Sequence, residues 1–185
     1  MNLPNRITLF RIFLVPAFLV AYLARPLGDG PANQWLALSL FVTAAVTDAL
    51  DGYLARRLGL VTNFGKLVDP LADKLLVCSA LVAFVHTGAV PVWAAIVIVA
   101  REFYVSGFRQ LALEQGLVLA AGAWGKIKMG LQLALIIYII VPPPLDALRF
   151  GPVVTALVAL AVLATLYSAA DYTWRNRSIL GQKAP

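Results

Sequence analysis

Apolar residues fill this chain in long runs, at 7–24, 35–58, 67–87, 91–114, 120–141 and 151–173, separated by glycine, proline and charge. A run of about 20 apolar residues has the length of a membrane-crossing helix, whereas strands alternate with period two. Two breaks are sharp, Arg25-Pro26-Leu27-Gly28-Asp29-Gly30-Pro31 and the triple proline at 142–144, because proline and glycine stop helices through their backbones. Residues 3–13 set Arg6 and Arg11 among Leu, Ile and Phe, which predicts an amphipathic lead-in lying in the membrane interface. Arg6 ahead of an apolar run imitates a signal peptide, but Pro16 interrupts the run and no convincing cleavage site follows, so the segment is read as retained. The pattern predicts an all-α integral membrane protein. Its architecture is a six-transmembrane-helix bundle with an N-terminal interfacial segment, forming one domain over residues 1–185.

Composition agrees. Hydrophobic residues make up 61% and charged residues 13% of 185, against about 25% charged in a soluble domain. Mean hydropathy of +0.84 excludes disorder, collagen and a disulfide scaffold. Cys78 is the sole cysteine, so neither an internal disulfide nor a cysteine metal knuckle forms. The net charge of +6 reports orientation and contact with anionic lipid rather than nucleic acid. With six spans, Arg6, Arg11, Arg56, Arg57, Lys66, Arg109, Lys126, Lys128, Arg175, Arg177 and Lys183 fall on one side and Arg25 and Arg149 on the other. By the positive-inside rule both termini are cytoplasmic.

Four of the nine acidic residues, Asp48, Asp51, Asp69 and Asp73, lie in or beside the second and third spans. Asp48 and Asp51 sit one turn apart on one helix face, as do Asp69 and Asp73 on the next. A short connection makes these helices antiparallel neighbours, so the two pairs converge near the cytoplasmic surface. Four like charges in a low dielectric repel or protonate unless cations hold them ionised. All-oxygen donors favour magnesium, manganese or calcium over zinc. Pairing with Arg56, Arg57, Lys66 and Lys74 as an interfacial belt is the plainer alternative, and a cation pathway is another. Gly52, Ala55 and Gly65 leave room for a ligand near the backbone, and Arg56 offers a fork to a phosphate oxygen. Metals and an arginine beside such a pocket suit a pyrophosphate substrate.

Taken together, Asp48-x2-Asp51-Gly52-x2-Ala55-Arg56-x8-Gly65-x3-Asp69-x3-Asp73 resembles, position for position, the signature of the CDP-alcohol phosphatidyltransferase family. Asn2-Leu3-Pro4-Asn5-Arg6-Ile7-Thr8, the stretch Arg101-Glu102-Phe103 to Arg109 and Gly125-Lys126-Ile127-Lys128 look like the bacterial members that make phosphatidylglycerophosphate. The resemblance implies transfer of the phosphatidyl group from CDP-diacylglycerol to the 1-hydroxyl of sn-glycerol 3-phosphate, releasing CMP. It implies two divalent cations, Mg2+ or Mn2+, held by Asp48, Asp51 and Asp69, with Asp73 as general base that also touches a metal. Gly52, Ala55, Arg56 and Gly65 then belong to the CDP pocket, which Asn5 and Thr8 close. A homodimer in the bacterial cytoplasmic membrane, with its active site facing the cytoplasm, is implied as well. Sibling transferases using inositol phosphate, serine or phosphatidylglycerol differ only in the acceptor pocket, and a small cation transporter is the reading from a different class.

Arg101 and Glu102 interrupt the fourth span after the apolar run 92–100, and intramembrane charges usually face the bundle interior or a water-filled cavity. As neighbours in sequence these two are not expected to pair by helix geometry. Arg101, Arg109 and Lys126 are read as a cradle for the acceptor phosphate, with Thr47 as a polar neighbour. Under the plainer reading Arg101 neutralises Glu102 or a motif aspartate, while Arg109, Lys126 and Lys128 anchor helices to lipid. Trp35, Trp93, Trp124 and Trp174 fall near span ends as interfacial anchors, His86 is an interfacial side chain, and Asp171 is spaced to pair with Arg175.

Overall fold

The computed structural model describes the backbone of residues 3–28, 30–58, 63–117, 119, 122–142 and 151–177, and the side chains of residues 7–28, 30–47, 71–72, 74–117, 119, 122–142 and 151–177. Among them every regular element is a helix. In order they are α1 (Leu3–Leu19), which ends in a π-helical turn (Val20–Ala24), α2 (Ala32–Leu58), α3 (Asn63–His86), α4 (Val92–Glu114), α5 (Ala123–Ile140) and α6 (Pro152–Arg175). The chain is a membrane protein: among the described residues Ile7–Ala24, Ala123–Ile140 and Pro152–Arg175 are long and apolar enough to cross a bilayer. Shorter apolar stretches, Ala32–Thr47 and Lys74–His86, lie within α2 and α3. Packing divides the chain into two compact units, Met1–Thr87 with Ile139–Pro144, and Gly88–Tyr138 with Leu145–Pro185.

In the first unit α1 packs against both α2 and α3. Residues 3–13, expected as a lead-in, continue in unbroken helix into the run that follows. Among the described side chains of this segment Thr8 and Arg11 are buried, while Phe10 and Phe13 are exposed. In a bilayer the outward face is the apolar one, and polar groups find partners inside the bundle. Thr8, Arg11, Val15, Phe18 and Tyr22 form one buried stripe at three- and four-residue spacing. On the helices that α1 packs against, Ala37, Phe41 and Ala44 of α2 and Ala72, Leu76, Ala80 and Phe84 of α3 are buried. The alanines let backbones approach closely, which is how helices associate where lipid removes the hydrophobic drive.

Phe18 lies 5.8 Å from Phe41 and Tyr22 lies 5.4 Å from Phe84, centroid to centroid. Phe18 and Phe41 flank the short α1–α2 connection, so α1 and α2 are antiparallel. Tyr22 and Phe84 are both near the C-terminal ends of their helices, and an interface shared along the helices then requires α1 and α3 to run parallel. Asn33 braces the turn after α1: its side-chain oxygen accepts the Leu27 N–H at 2.9 Å, and its amide donates to the Gly28 carbonyl. Gly28 takes φ of 86° there, a left-handed conformation that glycine adopts without steric cost.

The second unit holds α4, α5 as far as Tyr138, and α6. Val105, Phe108, Ala112 and Tyr172 form its core cluster, with Leu119 against it. Phe108 meets Tyr172 edge-on at 5.7 Å, and Trp124 meets Tyr167 at 4.4 Å. Contacts Arg101–Ser168 and Tyr104–Thr173 advance together, so α4 and α6 run parallel, whereas Trp124–Tyr167 and Gln132–Thr165 run in opposite senses, so α5 is antiparallel to α6.

Candidate active site

The sequence motif occupies the facing ends of two consecutive helices. Asp48, Asp51, Gly52, Ala55 and Arg56 ride on the last three turns of α2, and Gly65, Asp69 and Asp73 on the first three of α3. α3 begins at Asn63, ahead of the expected 67, so Gly65 is helical and the connection is shorter than the hydrophobic pattern implied. α2 and α3 are in contact, and the two carboxylate pairs sit next to their joint. The side chains of these eight residues, and of Asn5 on α1, lie outside the described residues. Thr8, one turn beyond Asn5, is 1% exposed. Thr47 donates its hydroxyl back to the Thr43 and Ala44 carbonyls at 2.9 and 2.8 Å.

In the second unit a polar cluster crosses all three helices. Arg101 on α4 donates to Ser168 on α6 at 2.7 Å. Its other terminal nitrogen lies 3.4 Å from Glu102, which corrects the expectation that these neighbours would not pair. Glu102 in turn closes against Lys128 of α5, and two long side chains about 100° apart on a helix meet once a third group draws the carboxylate toward it. Lys128 is therefore no lipid anchor: its side chain is 5% exposed. Among the described residues Arg101 and Lys128 both approach Glu102. Arg101 Nε is buried with no hydrogen-bond partner among the described residues, and such a donor is costly to leave unmet.

Arg109, two turns on, donates to the Tyr172 hydroxyl at 3.4 Å and lies 5.8 Å from that ring centroid. Arg109 and Lys126 are exposed. The structure thus aims Arg101 and Arg109 at Ser168 and Tyr172, one turn apart on α6, and leaves Lys126 at the surface near the start of α5. Lys128, Ser168 and Tyr172 were missed as members of this cluster. For Lys128 the signal was present: Lys128, Gln132, Leu135 and Ile139 are all buried at four-, three- and four-residue steps, the inner stripe of a helix. Lys126, two residues earlier, falls on the opposite side. Trp35, Trp93, Trp124 and Trp174 sit exposed at helix ends, and Asp171 accepts from Arg175 at 2.7 Å, as its spacing predicts.

A family model, CDP-alcohol phosphatidyltransferase, matches residues 1–169. The chain belongs to the CDP-alcohol phosphatidyltransferase family. Among its relatives is a Bacillus subtilis protein named CDP-diacylglycerol--glycerol-3-phosphate 3-phosphatidyltransferase, 41% identical over 184 residues that cover 95% of each chain. A Mycobacterium tuberculosis protein named probable phosphatidylglycerophosphate synthase is 39% identical, over 97% of this chain and 84% of its own. A Rickettsia bellii protein with the same name as the Bacillus one is 37% identical over 71% of each. As a CDP-alcohol phosphatidyltransferase the chain is an enzyme, and the matched residues take in the whole motif together with Arg101, Arg109, Lys126 and Lys128.

Proposed function

We propose that this transferase moves the phosphatidyl group of CDP-diacylglycerol onto the 1-hydroxyl of sn-glycerol 3-phosphate, giving phosphatidylglycerophosphate and CMP. The observation that supports the acceptor assignment is Arg101, which donates to Ser168, lies beside Glu102 and keeps its Nε without a hydrogen-bond partner among the described residues, with exposed Arg109 two turns on. Relatives named for glycerol 3-phosphate support the same choice. Exposed Arg109 and Lys126 meet the acceptor phosphate, and Arg101 contributes its remaining N–H. Charge-assisted bonds from arginine to phosphate are among the stronger ones in proteins.

Four carboxylates on adjoining turns of α2 and α3 form a hard, all-oxygen donor set that fits two divalent cations, Mg2+ or Mn2+. Asp48, Asp51, Asp69 and Asp73 would hold them. Bound there, the ions would neutralise pyrophosphate charge and stabilise the departing CMP. Gly52, Ala55 and Gly65 leave space for the nucleotide beside the helix backbone, Arg56 binds a phosphate oxygen, and Asn5 and Thr8 close the pocket from α1. Asp73 accepts the proton of the acceptor hydroxyl as its oxygen bonds to the phosphorus that carries diacylglycerol. The bond from that phosphorus to the bridging oxygen breaks, and CMP leaves with the electron pair.

Both termini and the site face the cytoplasm in this reading, in a bacterial cytoplasmic membrane, and the enzyme works as a homodimer. Acyl chains stay in lipid while cytidine and acceptor enter from water, because withdrawing each methylene would cost about 0.8 kcal/mol. The test is CMP release by purified, detergent-solubilised protein given CDP-diacylglycerol and Mg2+, with glycerol 3-phosphate, inositol phosphate or serine supplied separately. Metal-dependent release with glycerol 3-phosphate alone is expected. Release with another acceptor would reassign the substrate, and ion flux without any release would make the protein a transporter.

A further inference from the structure

Arg11 is the anomaly of the first unit. It is 0% exposed, the largest wholly buried side chain in the described chain, it is engaged in an interaction, and a guanidinium stays charged under any ordinary condition. A charge that deep needs an anionic partner. The carboxylates of α1, α2 and α3 are Asp48, Asp51, Asp69 and Asp73.

Helix register brings two of them to its level. Arg11 precedes Phe18 by seven residues, and Asp48 follows Phe41 by seven on the antiparallel α2, with Phe18 and Phe41 in contact. Arg11 also precedes Tyr22 by eleven residues, and Asp73 precedes Phe84 by eleven on the parallel α3, with Tyr22 and Phe84 in contact. Seven residues span about 10.5 Å and eleven about 16.5 Å of helix, so both countings end at a common height. On α2 and α3 the counting also returns to within about 20° of its starting face, so Asp48 shares the face of Phe41 and Asp73 that of Phe84. These are the faces that meet α1.

We propose that Arg11 is a positioning residue of the transferase site, the fixed counter-charge that holds the motif's carboxylates ionised and in place. It stands outside the four-aspartate signature and reaches the site from a third helix. The role rests on the motif being a divalent-cation site: with cations bound, much of the repulsion Arg11 offsets is already neutralised, and without them Arg11 carries that task.

Thermal unfolding of the purified full chain in detergent, in EDTA and in saturating Mn2+, separates the possibilities. Wild type should melt higher with Mn2+; if it does not, the cation site falls and Arg11's role falls with it. Arg11→Met should melt about 5–10 °C below wild type in EDTA, with at least half of that gap closed by Mn2+. Equal gaps in both conditions would mean that Arg11 only fills space, overturning the proposal while leaving the cation site intact. Arg11→Met combined with Asp48→Asn removes both charges. In EDTA it should regain at least half of the loss, including yield if the single variant fails to fold; no recovery would likewise overturn the proposal.

Discussion

Lys128 of α5 is closed against Glu102 of α4, with side-chain exposures of 5% and 17%. Removing one member of a buried pair takes away a counter-charge of the other, at a cost of up to about 3–5 kcal/mol. Lys128→Met and Glu102→Gln should each lower the melting temperature in detergent by roughly 6–20 °C, at about 2–4 °C per kcal/mol for a chain of this size. The double variant should lose less than the sum, because the contact between the two side chains is lost only once. Additive losses would show that the two side chains do not depend on one another.

Lys126 is exposed on the same helix, and its role is to be read in kinetics rather than stability. Lys126→Ala should raise KM for glycerol 3-phosphate by about tenfold, the loss of one charge-assisted contact, with a smaller change for CDP-diacylglycerol. Equal effects on both substrates would remove Lys126 from the acceptor site. The contrast with Lys128 sharpens the test, since the two lysines differ by two positions and by the side of α5 they occupy.

Much of this was readable in the chain. Among the described residues the six apolar runs form six helices in order, because length and breakers such as the Pro26–Pro31 stretch act locally. The motif was legible because its spacing is a helix-face property, carried by residues that have no reason to enter a membrane otherwise. Partnership was harder. Glu102 and Lys128 are 26 residues apart, and Arg101 and Ser168 are 67 apart, so nothing in the local pattern announces either contact. Arg11 misled most: among Leu, Ile and Phe it reads as a snorkelling interfacial charge, and only the packing of α1 between α2 and α3 turns it inward.

Asp73 is the proposed base, and its substitution separates chemistry from binding. Asp73→Asn keeps the side-chain shape and an oxygen but cannot take the acceptor's proton. Turnover should fall by about 10²–10⁴-fold, the usual worth of a positioned base. CMP binding, followed by calorimetry in Mn2+, should fall far less. Loss of binding in step with turnover would mean that Asp73 serves the site as a ligand and that the base lies elsewhere.

Asn33 offers a control remote from the chemistry. It is 2% exposed, and its side chain both accepts from Leu27 and donates to Gly28, tying the turn that fixes the α1–α2 register. Asn33→Ala leaves the Leu27 N–H and the Gly28 carbonyl without that partner and should cost about 1–3 kcal/mol. A drop of a few degrees in melting temperature is expected, with kcat at low temperature near that of wild type. Because the brace sits at the end of α1 opposite Arg11, the loss should be the same in EDTA and in Mn2+. A metal-dependent loss would show that the turn, and not Arg11 alone, sets the position of α1 against the aspartates.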